Sequence, residues 1–250
     1  MAIDLQTILN TIATDVFRRQ ADCDYISARM IYRMKLREQF LWSAQQTMEK
    51  YLKALLLYNG LSARYYREPP NAKEYGHDLL LLYERVLQIA VIDFQLPEWI
   101  VAFLSYLNEL GVNRYLTLPA YISGDELPKL DESVWSIRRY CQYLPDRGLG
   151  KKKVAWGLRE AYAKRLNSPR YSEHPTGFKI HTGQLEEILS RDHNDFARKA
   201  LIWNNLYYGR KNRLQVSYSA LSSFEIPPHH RRWFHQEENQ ELVEKYVRLR

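Results

Sequence analysis

The stretch Gln45-Gln46-Thr47-Met48-Glu49-Lys50-Tyr51-Leu52-Lys53-Ala54-Leu55-Leu56 decides how this chain is read. Wound as a helix, it sets Leu41, Ala44, Met48, Leu52 and Leu55 on one stripe, at i, i+3, i+7, i+11 and i+14. Glu49 and Lys53 stand i, i+4 in the favourable order. The spacing predicts a helix over residues 37–58, stopped by Asn59-Gly60.

Outward from that helix, residues 3–20 read as helical, with Ile3, Ile8, Ile12 and Val16 near one face. Asp22 or Asp24 is placed to cap a second helix ending near Arg33. Residues 62–75 hold Pro69-Pro70-Asn71 and read as a loop. A fourth helix is expected over 77–90, and a fifth from Pro97-Glu98 to Gly111. Residues 113–130, with Pro119, Gly124 and Pro128, should be irregular, and Asp131 is expected to cap a sixth helix through Tyr143. The run Leu144-Pro145-Asp146-Arg147-Gly148-Leu149-Gly150-Lys151-Lys152-Lys153 is the natural boundary, dividing the chain into 1–145 and 146–250. Beyond it, 154–166, 183–191 and 194–208 read as helices, 214–226 as strand-like, and 236–249 as a final helix after Pro227-Pro228.

Apolar residues make up 46% of the 250, enough for a core. No apolar run approaches the length of about 18 residues that a membrane helix requires. The N-terminus lacks the basic and apolar regions of a signal peptide. Cys23 and Cys141 are the two cysteines and form no CxxC, which fits a reducing cytoplasm. The net charge of +7 is uneven. Residues 1–145 hold 16 Lys/Arg against 17 Asp/Glu, whereas 146–250 hold 20 against 12. A basic half beside a neutral half suggests an acidic partner, nucleic acid first; the alternative is a solvated surface. The chain has no GxxxxGK[ST], GxGxxG, HExxH or GxSxG, which counts against common nucleotide hydrolases, dinucleotide enzymes, zincins and serine hydrolases.

Around the central helix lie Asp24-Tyr25-Ile26-Ser27-Ala28-Arg29 upstream, then Asn59-Gly60, Gly76-His77-Asp78-Leu79 and Asn113-Arg114-Tyr115 downstream. This order, with its QAxEKxLKALL-like helix, resembles the HEPN family over roughly residues 20–145. The resemblance implies a mainly α protein: an antiparallel helical bundle, followed here by a basic, mostly helical region. It also implies RNA as a partner, a homodimer, and a nucleotidyltransferase-like partner in a toxin–antitoxin or defence setting.

Active members of the family resemble one another in an Arg followed four to six residues later by His. An imidazole can take the 2′-hydroxyl proton of RNA while a guanidinium clamps the phosphate, with no cofactor or metal. Arg114 stands at the family's Arg, but Tyr115 to Tyr121 contain no His. Arg114 and Tyr121 are the catalytic candidates, although a phenol with a pKa of about 10 is a poor base at neutral pH. An Arg after a helix C-terminus also serves to cap carbonyls or pair with a carboxylate. His77 is read as helix-start packing or hydrogen bonding. Arg170 with His174 and Arg231 with His235 share the four-residue spacing outside the family's context. His229, His230 and His235 lack carboxylate or thiolate support, so no metal site is expected.

The segment from Trp203 to Arg213 interleaves aromatics, amides and cations. Tyr207, Tyr208, Arg210, Lys211 and Arg213, with Lys151, Lys152 and Lys153, form the candidate nucleic-acid surface: cations for phosphates, rings for bases. The alternative places Trp203, Leu206 and Tyr207 in the core. The missing imidazole after Arg114 favours a binding module, degenerate in catalysis, over the alternative of a metal-independent endoribonuclease.

Overall fold

The computed structural model describes residues 5–67, 69–89, 94–111, 124–144, 158–168 and 178–209. The protein is mainly helical. Helix α1 (Leu5–Ile12) passes through a π-helical segment, Ala13–Arg18, into α2 (Arg19–Arg33) without a break. Two helices with a cap between them were the expectation; the structure has one continuous run. Asp22 and Asp24 cap nothing, because stronger partners take their carboxylates. Asp22 accepts from Arg138 and from the Tyr51 hydroxyl, and Asp24 pairs with Lys50.

Helix α3 (Arg37–Tyr58) has the predicted bounds, and Leu41, Ala44, Met48, Leu52 and Leu55 are all buried. Its burial goes beyond one stripe. Phe40, Ser43, Gln45, Thr47, Glu49, Tyr51 and Leu56 are buried too, so α3 is the central element. A helix enclosed on most sides must satisfy its polar side chains internally. Thr47 Oγ1 donates back to the Ser43 carbonyl at 2.7 Å, and Tyr51 donates to Asp22 at 2.5 Å.

The expected loop at 62–75 contains a small antiparallel hairpin, β1 (Tyr65–Arg67) and β2 (Lys73–Glu74). Aromatic residues suit a pleated surface, and Tyr66 meets Tyr75 edge-on at 6.0 Å. Helix α4 (Leu79–Leu87) starts two residues later than expected, because Asp78 is its N-cap and accepts from the Leu80 and Leu81 amides. Helix α5 (Glu98–Leu110) follows Pro97. Its end lies hard against α3: a Cβ on Gly111 would fall 2.4 Å from Gln45 Cβ, so only glycine fits there. α4 and α5 both pack on α3, and α5 also meets helix α6 (Glu126–Arg138).

Asp131 was expected to start the sixth helix, yet α6 begins five residues earlier and Asp131 lies inside it. Its carboxylate accepts from Arg29 and from the Tyr25 hydroxyl, an ionic partnership that outweighs a local capping bond. The helix also ends at Arg138 rather than Tyr143.

Past the expected boundary, which lies outside the described residues, come α7 (Leu158–Leu166), α8 (Gln184–Ser190) and α9 (Phe196–Ile202). Residues 185–208 contribute Leu185, Ile188, Ala200, Leu201, Tyr207 and Tyr208 to the same core as α2 to α6. Arg29 fastens the last turn of α9 by donating to the carbonyls of Ala200 and Trp203. Arg138 spans Asp22 of α2 and Glu186 of α8. The expected strand at 214–226 and helix at 236–249 lie outside the described residues. No helix among the described residues is long and apolar enough to cross a membrane.

Because Leu52 is fully buried on α3, Leu52→Ala should cost about 2–5 kcal/mol of stability. A urea unfolding midpoint that does not move would mean that this face is not core.

Candidate functional site

Two kinds of polar cluster occur. The first kind is sealed. Asp22 and Arg138 are almost fully buried, with Arg138 Nε 2.7 Å from Asp22 Oδ1 and Nη2 2.9 Å from Oδ2. Glu186 closes the group at 2.9 and 2.7 Å from the guanidinium. Arg29, Asp131, Tyr25 and Asn205 form a second sealed group. Burial pushes the Tyr25 and Tyr51 hydroxyls far above the ordinary phenol range, so both stay neutral donors. No substrate reaches these groups, and they are structural.

The other kind is open. It gathers Gln45, Gln46, Glu49 and Lys53 on the middle of α3 with His77 in the turn that leads into α4. His77 Nδ1 lies 2.9 Å from Glu49 Oε2, and its side chain is 66% exposed while that of Glu49 is 7% exposed. Lys53 Nζ donates to Glu49 Oε1 at 2.6 Å, and Gln45 Nε2 to Glu49 Oε2 at 3.1 Å. Gln46 Nε2 reaches the same oxygen at 3.4 Å.

The backbone of the turn is pinned as well. Gln45 Nε2 donates to the His77 carbonyl at 3.1 Å and Lys53 Nζ to the Gly76 carbonyl at 3.2 Å. The Leu79 amide donates to Asn108 Oδ1 of α5 at 2.8 Å. A side chain two-thirds exposed is thus carried on a backbone fixed from α3 and α5.

The chemistry of the pair follows from its donors. Burial raises the Glu49 carboxyl, but hydrogen bonds from Lys53 and His77 outweigh it and leave the pKa below the usual carboxylate range. An ionised carboxylate only accepts, so Nδ1 carries the hydrogen of this contact and Nε2 is the nitrogen left for an outside partner. Among the described residues Nε2 has no partner. The sequence reading of His77 as a hydrogen-bonding helix-start residue agrees with this geometry. Its partner went unread, because Glu49 is 28 positions away and looked like half of a surface pair with Lys53.

The other sequence-predicted residues fare differently. Tyr207 and Tyr208 are each 5% exposed. Asn205 Oδ1 accepts from both their amides, while its Nδ2 donates to Tyr25, turning the segment inward. Tyr207 stacks on Trp135 at 6.2 Å, and Tyr208 meets the same ring edge-on. Rings held this way are core and offer no face to a base, so the stacking role expected for them is corrected. Arg114, Tyr121, Lys151, Lys152, Lys153, Arg210, Lys211 and Arg213 lie outside the described residues. Among the described residues no cluster of His, Cys, Asp and Glu has the makings of a metal site.

Fold and site define a mainly helical bundle with a solvent-open polar cluster against its central helix. Residues 14–118 match the family model of the HEPN domain, so that span is similar to HEPN domains. This places it among nucleotide- or RNA-related modules. Neither curated proteins nor solved structures give a match to the chain. The HEPN span includes α3, the His77 turn and α5, and stops before α6.

The sign for Glu49 is clear. Its folded pKa lies below the unfolded value of about 4.3, so its contribution is full above that value and lost as pH falls through the folded pKa. Urea midpoints followed from neutral pH down to about pH 3 should therefore decline less steeply in Glu49→Gln than in the wild type. Parallel curves would show that the carboxylate carries no such linkage.

Proposed function

We propose that this chain is an RNA-engaging HEPN module that works as a homodimer, with a nucleotidyltransferase-like protein as a partner in a toxin–antitoxin or defence setting. The carrying observation is the HEPN span joined to a basic half: the HEPN match ends at residue 118, and residues 146–250 hold 20 Lys/Arg against 12 Asp/Glu. Cations at Lys151, Lys152, Lys153, Arg210, Lys211 and Arg213 supply the phosphate contacts. RNA binding should then weaken steeply with added salt. Reversing charge at Lys151, Lys152, Arg210, Lys211 and Arg213 together should lower affinity across all sequences without changing preference. Fluorescence anisotropy with single-stranded RNA at low and high salt checks both points. Unaltered binding in the reversed protein would leave these cations as a solvated surface.

A second reading, a metal-independent endoribonuclease, is favoured by one observation: the oriented, exposed imidazole of His77. The window after Arg114 supplies none, and Tyr121 is a weak substitute. Under the binding reading, Arg114 supplies charge alone. Arg114→Ala should then lower RNA affinity modestly, and incubation of the wild type with total RNA in EDTA should yield no cleavage centred on an Arg114–Tyr121 pair. Cleavage that Tyr121→Phe abolishes would reverse this assignment.

A further inference from the structure

We infer that His77, oriented by Glu49, is a proton-transfer group for RNA strand cleavage, supplying the imidazole that the chain lacks after Arg114. The inference rests on the ribonuclease reading above and names the residue that performs it.

Three features carry it. The first is orientation. The Nδ1–Glu49 contact at 2.9 Å engages one ring nitrogen and leaves Nε2 without a partner among the described residues. A carboxylate behind an imidazole also stabilises the imidazolium that proton uptake creates. The second is rigidity. Exposed histidines ordinarily sample several rotamers, whereas here both the ring and its carbonyl are held by α3, through Glu49 and Gln45. Lys53 fixes the preceding carbonyl, and Asn108 holds the amide of Leu79. Besides His77, three donors (Gln45, Gln46 and Lys53) converge on Glu49 and fix it behind the ring, more than helix-start packing requires. The third is access. The carboxylate is 7% exposed and the ring 66% exposed, so the acceptor is dry and the reacting nitrogen is open to a polymer.

The chemical step balances without a co-reactant beyond water. Nε2 takes the proton of a ribose 2′-hydroxyl. The 2′-oxygen bonds to the adjacent phosphorus as the bond from phosphorus to the 5′-oxygen breaks, and the departing 5′-oxygen takes a proton from solvent. The imidazolium then returns its proton to solvent. The products are a 2′,3′-cyclic phosphate and a 5′-hydroxyl. RNA is the substrate class because its own 2′-hydroxyl is the nucleophile; DNA lacks it. The charged groups around the ring are Glu49 and Lys53 from α3, and Asp78 at the head of α4, whose carboxylate is turned to the amides of Leu80 and Leu81.

The test uses the full chain in EDTA with an end-labelled single-stranded RNA, the same sequence as DNA, and parallel anisotropy at low salt. Wild type, His77→Gln, Glu49→Gln and Glu49→Asp are purified identically. Wild type should cleave the RNA to 2′,3′-cyclic ends and leave the DNA intact. His77→Gln should lose at least about 100-fold in rate while keeping its RNA affinity and circular dichroism spectrum. Glu49, a positioning residue, should show a displaced pH–rate profile as Gln and recovery as Asp. RNA bound but uncleaved by the wild type overturns the inference and leaves the binding reading standing. Cleavage by His77→Gln at the wild-type rate also overturns it. Neither binding nor cleavage overturns both.

Discussion

The guanidinium of Arg138 is the interaction on which the rest of the structure depends. It is enclosed between Asp22 of α2 and Glu186 of α8, with Nε, Nη1 and Nη2 all engaged. Apolar side chains tolerate small slips, because one contact replaces another. A buried ion pair does not: losing one partner strands a charge in apolar surroundings, at a cost of about 3–5 kcal/mol. Arg138 therefore sets the rotation and register of three helices that the apolar core alone would leave loosely specified. The surrounding chain makes room for it. A Cβ on Gly183 would lie 2.0 Å from Glu186 Oε2 and 2.8 Å from Arg138 Nη2, so any side chain there would displace the ion pair.

Helix α3 joins this core to the open site. Its apolar stripe faces α2, α4 and α5, and one face of its middle presents Gln45, Glu49 and Lys53 to the His77 turn. Mounting polar groups on a rigid, buried element gives better-defined geometry than mounting them on a loop. The requirement is that every polar atom on the buried side find a partner, and the carbonyls of Gly76 and His77 meet that requirement for Lys53 and Gln45. Gly111 brings the end of α5 onto the same turn of α3, so the chain leaves the described residues beside Gln45, three positions before Arg114.

Much of the fold was legible because its signals are local. Leu41, Met48, Leu52 and Leu55 repeat at helical spacing, and Asn59-Gly60 ends the pattern. The failures share one cause. Asp22 and Asp131 belong to a residue type that caps helices, and nothing nearby in sequence distinguishes a cap from a buried anion. Their partners, Arg138 and Arg29, lie 116 and 102 positions away. Tyr207 and Tyr208 looked like stacking residues because of the cations that follow them, but Trp135 and Asn205 decide their setting. For the site, His77 was visible as a hydrogen-bonding residue, while the carboxylate that gives it chemical meaning was hidden in what read as an ordinary surface pair.

The clasp between Arg29 and α9 has a consequence for how this sequence can drift. Arg29 reads the carbonyls of Ala200 and Trp203, groups that every amino acid carries. Part of the attachment of the last described helix is thus written in backbone, beside the buried side chains of Ala200 and Leu201. Substitutions at positions 200 and 203 leave those acceptors in place, whereas a change at Arg29 removes both bonds at once. Sequence divergence should accordingly be lopsided: the anchoring arginine is under tight constraint, while the exposed positions of the segment it holds are free to change.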